Sequence, residues 1–177
     1  MTALPVRCVV DTNVATTANG SNPGAPASCV AASARALWEL IQRGHLFIDE
    51  SGRIVGEYRN NLAAGGQPGP GDAFYKWVLT YEWNEQRVTR VEITPADRGD
   101  GEDFDELPLP PKGVRYDPSD RIFLAVAAAH REHPAIWQSF DSKWWGWRGA
   151  LEAVGVSLHF LCEAEIARKH VAKMGGR

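Results

Sequence analysis

The chain has 177 residues, of which 44% are hydrophobic and 23% are charged, and its formal net charge is −3. This length suits one domain with a single core, and the composition is that of an ordinary globular protein. The first ten residues contain no long apolar run, and no stretch approaches the roughly 18 apolar residues of a membrane span. We therefore expect neither a signal peptide nor a membrane partner. The net charge predicts no general attraction to nucleic acid, although bound cations could supply positive charge locally.

The first half of the sequence alternates between short apolar runs and helical patterns. Residues 5–10 form a β-branched run, which predicts a strand buried on both faces and ending at Asp11. Residues 16–27 are rich in Gly, Pro, Asn and Ala and predict a loop. The remaining elements expected up to residue 93 are helices at 28–44, 49–62 and 72–85 and strands at 45–48 and 88–93.

The second half continues this alternation after a segment without a regular pattern. Residues 95–113 combine an acidic patch with several prolines, which predicts a flexible surface loop; the patch comprises Asp100, Glu102, Asp103, Asp105 and Glu106. After it we expect an apolar helix, a strand, a Trp-rich helix, a last strand and a basic helix, at 117–131, 135–140, 142–154, 156–161 and beyond. The alternation predicts a single α/β domain over residues 1–177, with a mostly parallel sheet covered on both faces.

Three cysteines, Cys8, Cys29 and Cys162, are widely separated in the sequence. Their odd number and scattered positions fit neither a zinc site nor a disulfide framework. They predict three small buried apolar residues in a protein of the reducing cytoplasm.

Acidic residues stand where the predicted strands and helices begin or end. Asp11 and Asp141 each follow an apolar strand, and Asp120 begins the apolar helix that precedes the second of these strands. Each has a local explanation as a turn or capping residue, and Asp117 before Pro118 is a good N-cap. However, the carboxyl ends of parallel strands meet at one edge, where ligands bind. Carboxylates gathered there repel one another unless cations lie between them, and oxygen ligands favour Mg²⁺ or Mn²⁺.

These segments together resemble the PIN domain of bacterial nucleases. The resembling segments are Val9-Val10-Asp11-Thr12-Asn13-Val14, a helical Glu57, Asp117-Pro118-Ser119-Asp120 before an Ala-rich helix, and Ser139-Phe140-Asp141. They follow the family's order and span the chain from Val9 to about Leu161. The resemblance implies a three-layer α/β/α sandwich with strand order 3-2-1-4-5. It also implies hydrolysis of phosphodiester bonds in RNA or, less often, DNA by a divalent metal ion.

The resemblance also implies roles for individual residues. The catalytic acids, which would hold one or two Mg²⁺ or Mn²⁺ ions, are Asp11, Glu57, Asp120 and Asp141, with Asp117 as an auxiliary ligand. Glu50 and Glu39 stand as alternatives to Glu57. One metal would activate a water molecule and the other would stabilise the leaving 3′ oxygen, which predicts products with 5′ phosphate and 3′ hydroxyl ends. Weaker candidates for contact with the substrate are Asn13, Ser139 and Lys143.

Three other classes of protein also place acids at some of these positions. A haloacid-dehalogenase-like phosphatase requires a second Asp two residues after the first, where this chain has Asn13. A response-regulator receiver requires an Asp after the third strand, and residues 88–94 supply none. A PIN-like module that binds RNA or protein without catalysis is the non-enzyme alternative. Small members of the PIN family often act as toxins restrained by an antitoxin, and others process RNA or act in defence, so an antitoxin or another protein is an expected partner. A homodimer is a separate expectation.

Overall fold

The computed structural model describes residues 6–66, 68–99 and 101–176. The strands are β1 (Arg7–Val10), β2 (His45–Asp49), β3 (Val88–Val91), β4 (Pro95–Asp97), β5 (Glu102–Phe104), β6 (Ala135–Gln138) and β7 (Leu158–Phe160). The helices are α1 (Thr12–Ala18), α2 (Ala27–Arg43), α3 (Arg53–Asn61), α4 (Pro70–Tyr81), α5 (Arg121–Ala129), α6 (Ser142–Ala153) and α7 (Glu163–Gly175). A short 3-10 helix (Pro118–Asp120) precedes α5.

The centre of the fold is a five-stranded parallel sheet in the order β3-β2-β1-β6-β7. Its five strands lie where the apolar runs of the sequence predict them, although Pro5 of the first predicted strand lies outside the described residues. The predicted order 3-2-1-4-5 needs correction in its numbering, because two further strands precede β6 in the chain. These two, β4 and β5, form a separate antiparallel hairpin.

Helices flank the sheet, as expected for an α/β/α sandwich. Helices α1 to α4 contact one another, and α5 packs against β1, β2 and β6. Helices cover both faces of the sheet, so all five residues of β2 are buried, including the polar His45 and Asp49. Among the described residues, none of the helices has both the length and the apolar character needed to cross a membrane.

Two segments predicted as loops contain regular structure. Residues 16–18 belong to α1, whose buried Val14 and Ala15 face neighbouring helices. Residues 95–113 contain the β4–β5 hairpin, in which Phe104 is buried and Asp103 pairs with Arg98 and Arg121. The prediction of a plain surface loop at 95–113 is therefore wrong for the hairpin, while Asp100 of the acidic patch lies outside the described residues.

The prediction that the three cysteines form no disulfide is also wrong. Cys29 in the first turn of α2 and Cys162 just before α7 form a disulfide with their Cα atoms 5.2 Å apart. The two residues are 133 positions apart in the sequence, so only the fold brings them together. Cys8 is a free, buried cysteine, as predicted. The argument from unpaired cysteines for a reducing cytoplasm therefore no longer holds.

Candidate active site

Asp11 is a buried carboxylate at the carboxyl end of the central strand β1. Its side chain is 5% exposed and caps α1 by accepting a hydrogen bond of 2.8 Å from the backbone N–H of Asn13. Removal from water raises the pKa of Asp11 from 3.8 to about 7, and the nearby charges of Asp120 and Asp141 add to this rise. The fold thus holds one carboxylate where its negative charge is poorly compensated.

Asn13 fixes the orientation of Asp11 and joins the ends of two neighbouring strands. Its Nδ2 donates to Asp11 Oδ1 over 2.9 Å and also to Gln138 Oε1. Its Oδ1 accepts a 2.8 Å hydrogen bond from the backbone N–H of Ser139. Gln138 Nε2 completes the network by donating to Asp11 Oδ2 over 3.0 Å. Asn13 therefore acts within the protein as a positioning residue, and its contact with substrate stays a prediction.

Three further carboxylates surround the side chain of Lys143. Its Nζ lies 2.6 Å from Asp117 Oδ2, 2.6 Å from Asp120 Oδ2 and 3.6 Å from Asp141 Oδ2. The Lys143 ammonium lowers the pKa of the exposed Asp117. Burial nevertheless raises the pKa of Asp120, with added repulsion from Asp117 and Asp141. Asp141 also caps α6 by accepting a hydrogen bond from the backbone N–H of Lys143.

Helix α3 brings Glu57 to the same region. The helix starts after Gly52, whose φ of +81° lies in the left-handed region that favours glycine. Asp49 at the end of β2 caps α3 with both carboxylate oxygens, accepting from the backbone N–H groups of Arg53 and Ile54 at 2.8 Å. Tyr58 Oη donates to the Val10 carbonyl over 2.6 Å and so ties α3 to β1.

The predicted catalytic acids border one cavity of about 530 Å³ at the carboxyl edge of the sheet. Its lining includes Asp11, Glu57, Asp120 and Asp141, together with Asn13. Glu50 and Glu39, the alternatives to Glu57, do not line it. The fold therefore brings together the four acids that the sequence analysis selected. Asp117 joins them through Lys143.

Near the cavity, the structure argues against one predicted substrate contact and adds one residue that the sequence analysis did not select. Ser139 is fully buried and its hydroxyl pairs with Ser33 Oγ at 2.8 Å, which argues against the predicted contact with a substrate phosphate. Lys169 of α7 lines the cavity and donates to the Phe140 carbonyl over 3.0 Å. Burial lowers the pKa of Lys169. The basic composition of the last helix was its only signal in the sequence.

A larger groove of about 1070 Å³ lies between α2, α6 and β7. Its charged residues are of both signs and include Arg35, Glu39 and Arg148, and the buried carboxylate Asp11 is not among its lining residues. We assign the candidate site to the smaller cavity because it contains two buried carboxylates, those of Asp11 and Asp120, which repel each other.

The acids offer the oxygen donors that a divalent cation prefers, but they are not arranged as a complete set of metal ligands. Asp11 and Asp120 are hard oxygen donors, and burial raises the pKa of both, so a cation beside them would stabilise their charged forms. In the part of the chain that the structure describes, no group of three or more His, Cys, Asp or Glu side chains is arranged to hold a metal ion. Binding would therefore require side-chain movements.

Comparison with protein-family models, curated proteins and solved structures finds no significant match to this chain.

Asp49 is a supporting residue that the sequence analysis missed, and its substitution tests how the site is built. Asp49→Ala is expected to lower the free energy of unfolding by about 2–3 kcal/mol, because two N–H groups at the start of α3, that of the buried Ile54 among them, lose their acceptor. Urea denaturation measures this change. Glu85→Ala, at an exposed position, is the control and should change stability by less than about 0.5 kcal/mol. Equal effects of the two substitutions would contradict the capping role of Asp49.

Proposed function

We propose that this chain is a divalent-metal-dependent nuclease of the PIN type that hydrolyses phosphodiester bonds in RNA. The observation that carries the proposal is the placement of Asp11. It is a buried carboxylate with a pKa raised to about 7, beside Asp120 and Asp141 in a cavity at the carboxyl edge of a parallel sheet. A carboxylate held in this way destabilises the folded protein, and cation binding gives a physical reason for keeping it.

The side chains around the cavity have separate roles in this proposal. Asp11, Glu57, Asp120 and Asp141 would hold Mg²⁺ or Mn²⁺, with Asp117 as an auxiliary ligand. The bound ion would supply a coordinated water of lowered pKa as the nucleophile and would offset charge on the phosphate. Asn13 and Gln138 each donate one side-chain hydrogen bond to the Asp11 carboxylate and are joined by a third, which fixes its orientation.

Positive charge and size also favour a phosphodiester substrate. Lys169 places an ammonium group at the cavity, where it would meet a phosphate oxygen. A cavity of about 530 Å³ bordered by polar residues has room for a nucleotide unit. DNA as substrate, and an antitoxin or a second copy of the chain as partner, remain expectations from the sequence analysis. They do not follow from contacts within the chain.

The test is cleavage of labelled single-stranded RNA and DNA by the purified protein. We expect RNA cleavage with Mg²⁺ or Mn²⁺, none with EDTA, and products with 5′ phosphate and 3′ hydroxyl ends. Glu50→Gln, an acid outside the cavity, is the matched control for substitutions within it and should cleave normally. Products with 2′,3′-cyclic phosphate would contradict attack by a metal-activated water. Metal binding without cleavage of any nucleic acid would favour a binding module instead.

A further inference from the structure

Lys143 occupies a position in the acidic cluster that resembles that of a bound cation. Its Nζ is within 3.6 Å of oxygens from Asp117, Asp120 and Asp141, and the two shortest contacts are 2.6 Å. The ammonium group donates a hydrogen bond to Asp117 Oδ2, and its contacts with Asp120 and Asp141 are ion pairs. Lys143 lies in the first turn of α6, and its backbone N–H donates to Asp141 Oδ1 over 3.1 Å, which fixes the start of the helix beside these acids.

The acids of the cluster have two kinds of partner. One ammonium group, that of Lys143, faces the carboxylates of Asp117, Asp120 and Asp141. Asp11, which is 5% exposed, accepts its hydrogen bonds from the neutral groups of Asn13 and Gln138. The lysine therefore brings a full positive charge to one part of the cluster, whereas neutral donors hold Asp11.

We propose that Lys143 is a built-in cation that takes the place of a second metal ion, so that the site binds one divalent cation. That ion would bind on the Asp11 side, with Glu57 and with Asp120 shared between the ion and the lysine. This inference rests on the proposed function, and it gives Lys143 a role within the protein rather than the contact with substrate expected from the sequence. A site for a single ion also agrees with the finding that, among the described residues, no group of three or more His, Cys, Asp or Glu side chains is arranged to hold a metal ion.

The number of bound ions tests this proposal without relying on activity. Mn²⁺ binding is measured by isothermal titration calorimetry and by electron paramagnetic resonance on the full chain. The wild type is expected to bind one ion. Lys143→Met, which keeps the length of the side chain and removes its charge, is expected to bind two. Lys143→Arg, which keeps the charge, is expected to bind one.

Lys169→Met is the matched control, because Lys169 lines the cavity that Asp11 and Asp120 border but donates to a backbone carbonyl rather than to a carboxylate. It removes the same charge and should leave the number of ions at one. Circular dichroism spectra and thermal melts establish that each variant is folded. If Lys143→Met does not fold, two ions on the wild type would still overturn the proposal.

The outcomes separate this inference from the proposed nuclease function. Two ions on the wild type, or one ion on folded Lys143→Met, would overturn the role of Lys143 even if the protein cleaves RNA. A rise from one ion to two, in a protein that cleaves no nucleic acid, would support the role of Lys143 and overturn the nuclease. An absence of Mn²⁺ binding by both the wild type and Lys143→Met would overturn both.

Discussion

Asp11→Asn is expected to reduce metal-dependent cleavage by more than about 100-fold while making the metal-free protein more stable at pH 8. Loss of the residues that orient a metal ligand typically lowers activity by 10- to 100-fold, and loss of the ligand itself should lower it further. The neutral amide keeps the shape of the side chain and its hydrogen bond from the backbone N–H of Asn13. The activity change therefore reports the missing charge rather than a collapsed site.

The gain in stability follows from the raised pKa of Asp11. In the unfolded chain this carboxyl loses its proton near pH 3.8, and in the folded protein near pH 7. Between these values the folded state binds more protons, so stability falls as the pH rises, and the loss is complete above about pH 7. A difference of this size corresponds to roughly 4 kcal/mol, and it already includes the hydrogen bond that Gln138 donates to the ionised carboxylate. We expect a gain of about 4 kcal/mol at pH 8 and little change at pH 4.

Urea denaturation of both proteins in EDTA at pH 4 and pH 8 measures this effect. The wild type should be less stable at pH 8 than Asp11→Asn, and the difference should vanish at pH 4. Addition of Mg²⁺ should reduce the difference in unfolding free energy between the two proteins at pH 8, because a bound cation compensates the Asp11 carboxylate of the wild type. A variant that is less stable at both pH values would show that the hydrogen bonds of Asp11 outweigh the burial of its charge.

Reduction of the Cys29–Cys162 disulfide is expected to lower the free energy of unfolding by about 2–5 kcal/mol. The bond closes a loop of 133 residues, and a long loop loses much of its entropy when the unfolded chain is cross-linked. The disulfide also anchors α7, whose only buried residue is Ile166 in the small cluster with Cys29 and Phe140. The melting temperature should therefore fall by roughly 5–20 °C in dithiothreitol.

A thiol count and a variant pair test the disulfide. The unreduced, denatured wild type should show one free thiol, that of Cys8, and the reduced protein three. The double variant Cys29→Ser and Cys162→Ser should melt at the temperature of the reduced wild type and should not respond to dithiothreitol. Cys8→Ala is the control that keeps the response. Three free thiols before reduction would show that the bond does not form.

Much of the central sheet and the identities of the acids around the cavity were predictable from the sequence. Short runs of apolar and β-branched residues such as 5–10 and 45–48 have few alternatives to a buried strand. Asp11 and Asp141 follow such runs directly, so the parallel arrangement alone predicts that they meet at one edge of the sheet. The family resemblance predicted Glu57 as a metal ligand on a helix, and in the structure Glu57 lines the cavity.

Local sequence signals failed where packing decides the structure. Helix α1 is only seven residues long and contains Thr and Asn, which are poor helix formers, so its pattern resembles that of a loop. Its stability comes from Val14 and Ala15 buried against neighbouring helices. The β4–β5 hairpin lies in an acidic, Pro-rich segment, and burial of Phe104 holds it on the domain. Neither contact is visible in a local window of sequence.

Contacts between distant residues were decided by the tertiary structure alone. The pairing of Cys29 with Cys162 and the placement of Lys143 among Asp117, Asp120 and Asp141 depend on how α2, α6 and α7 lie around the sheet. The sequence determined which chemical groups stand at the ends of the strands, because strand formation is a local property of the apolar runs. Which cation neutralises those groups depends on side-chain directions and burial, and these exist only in the packed fold.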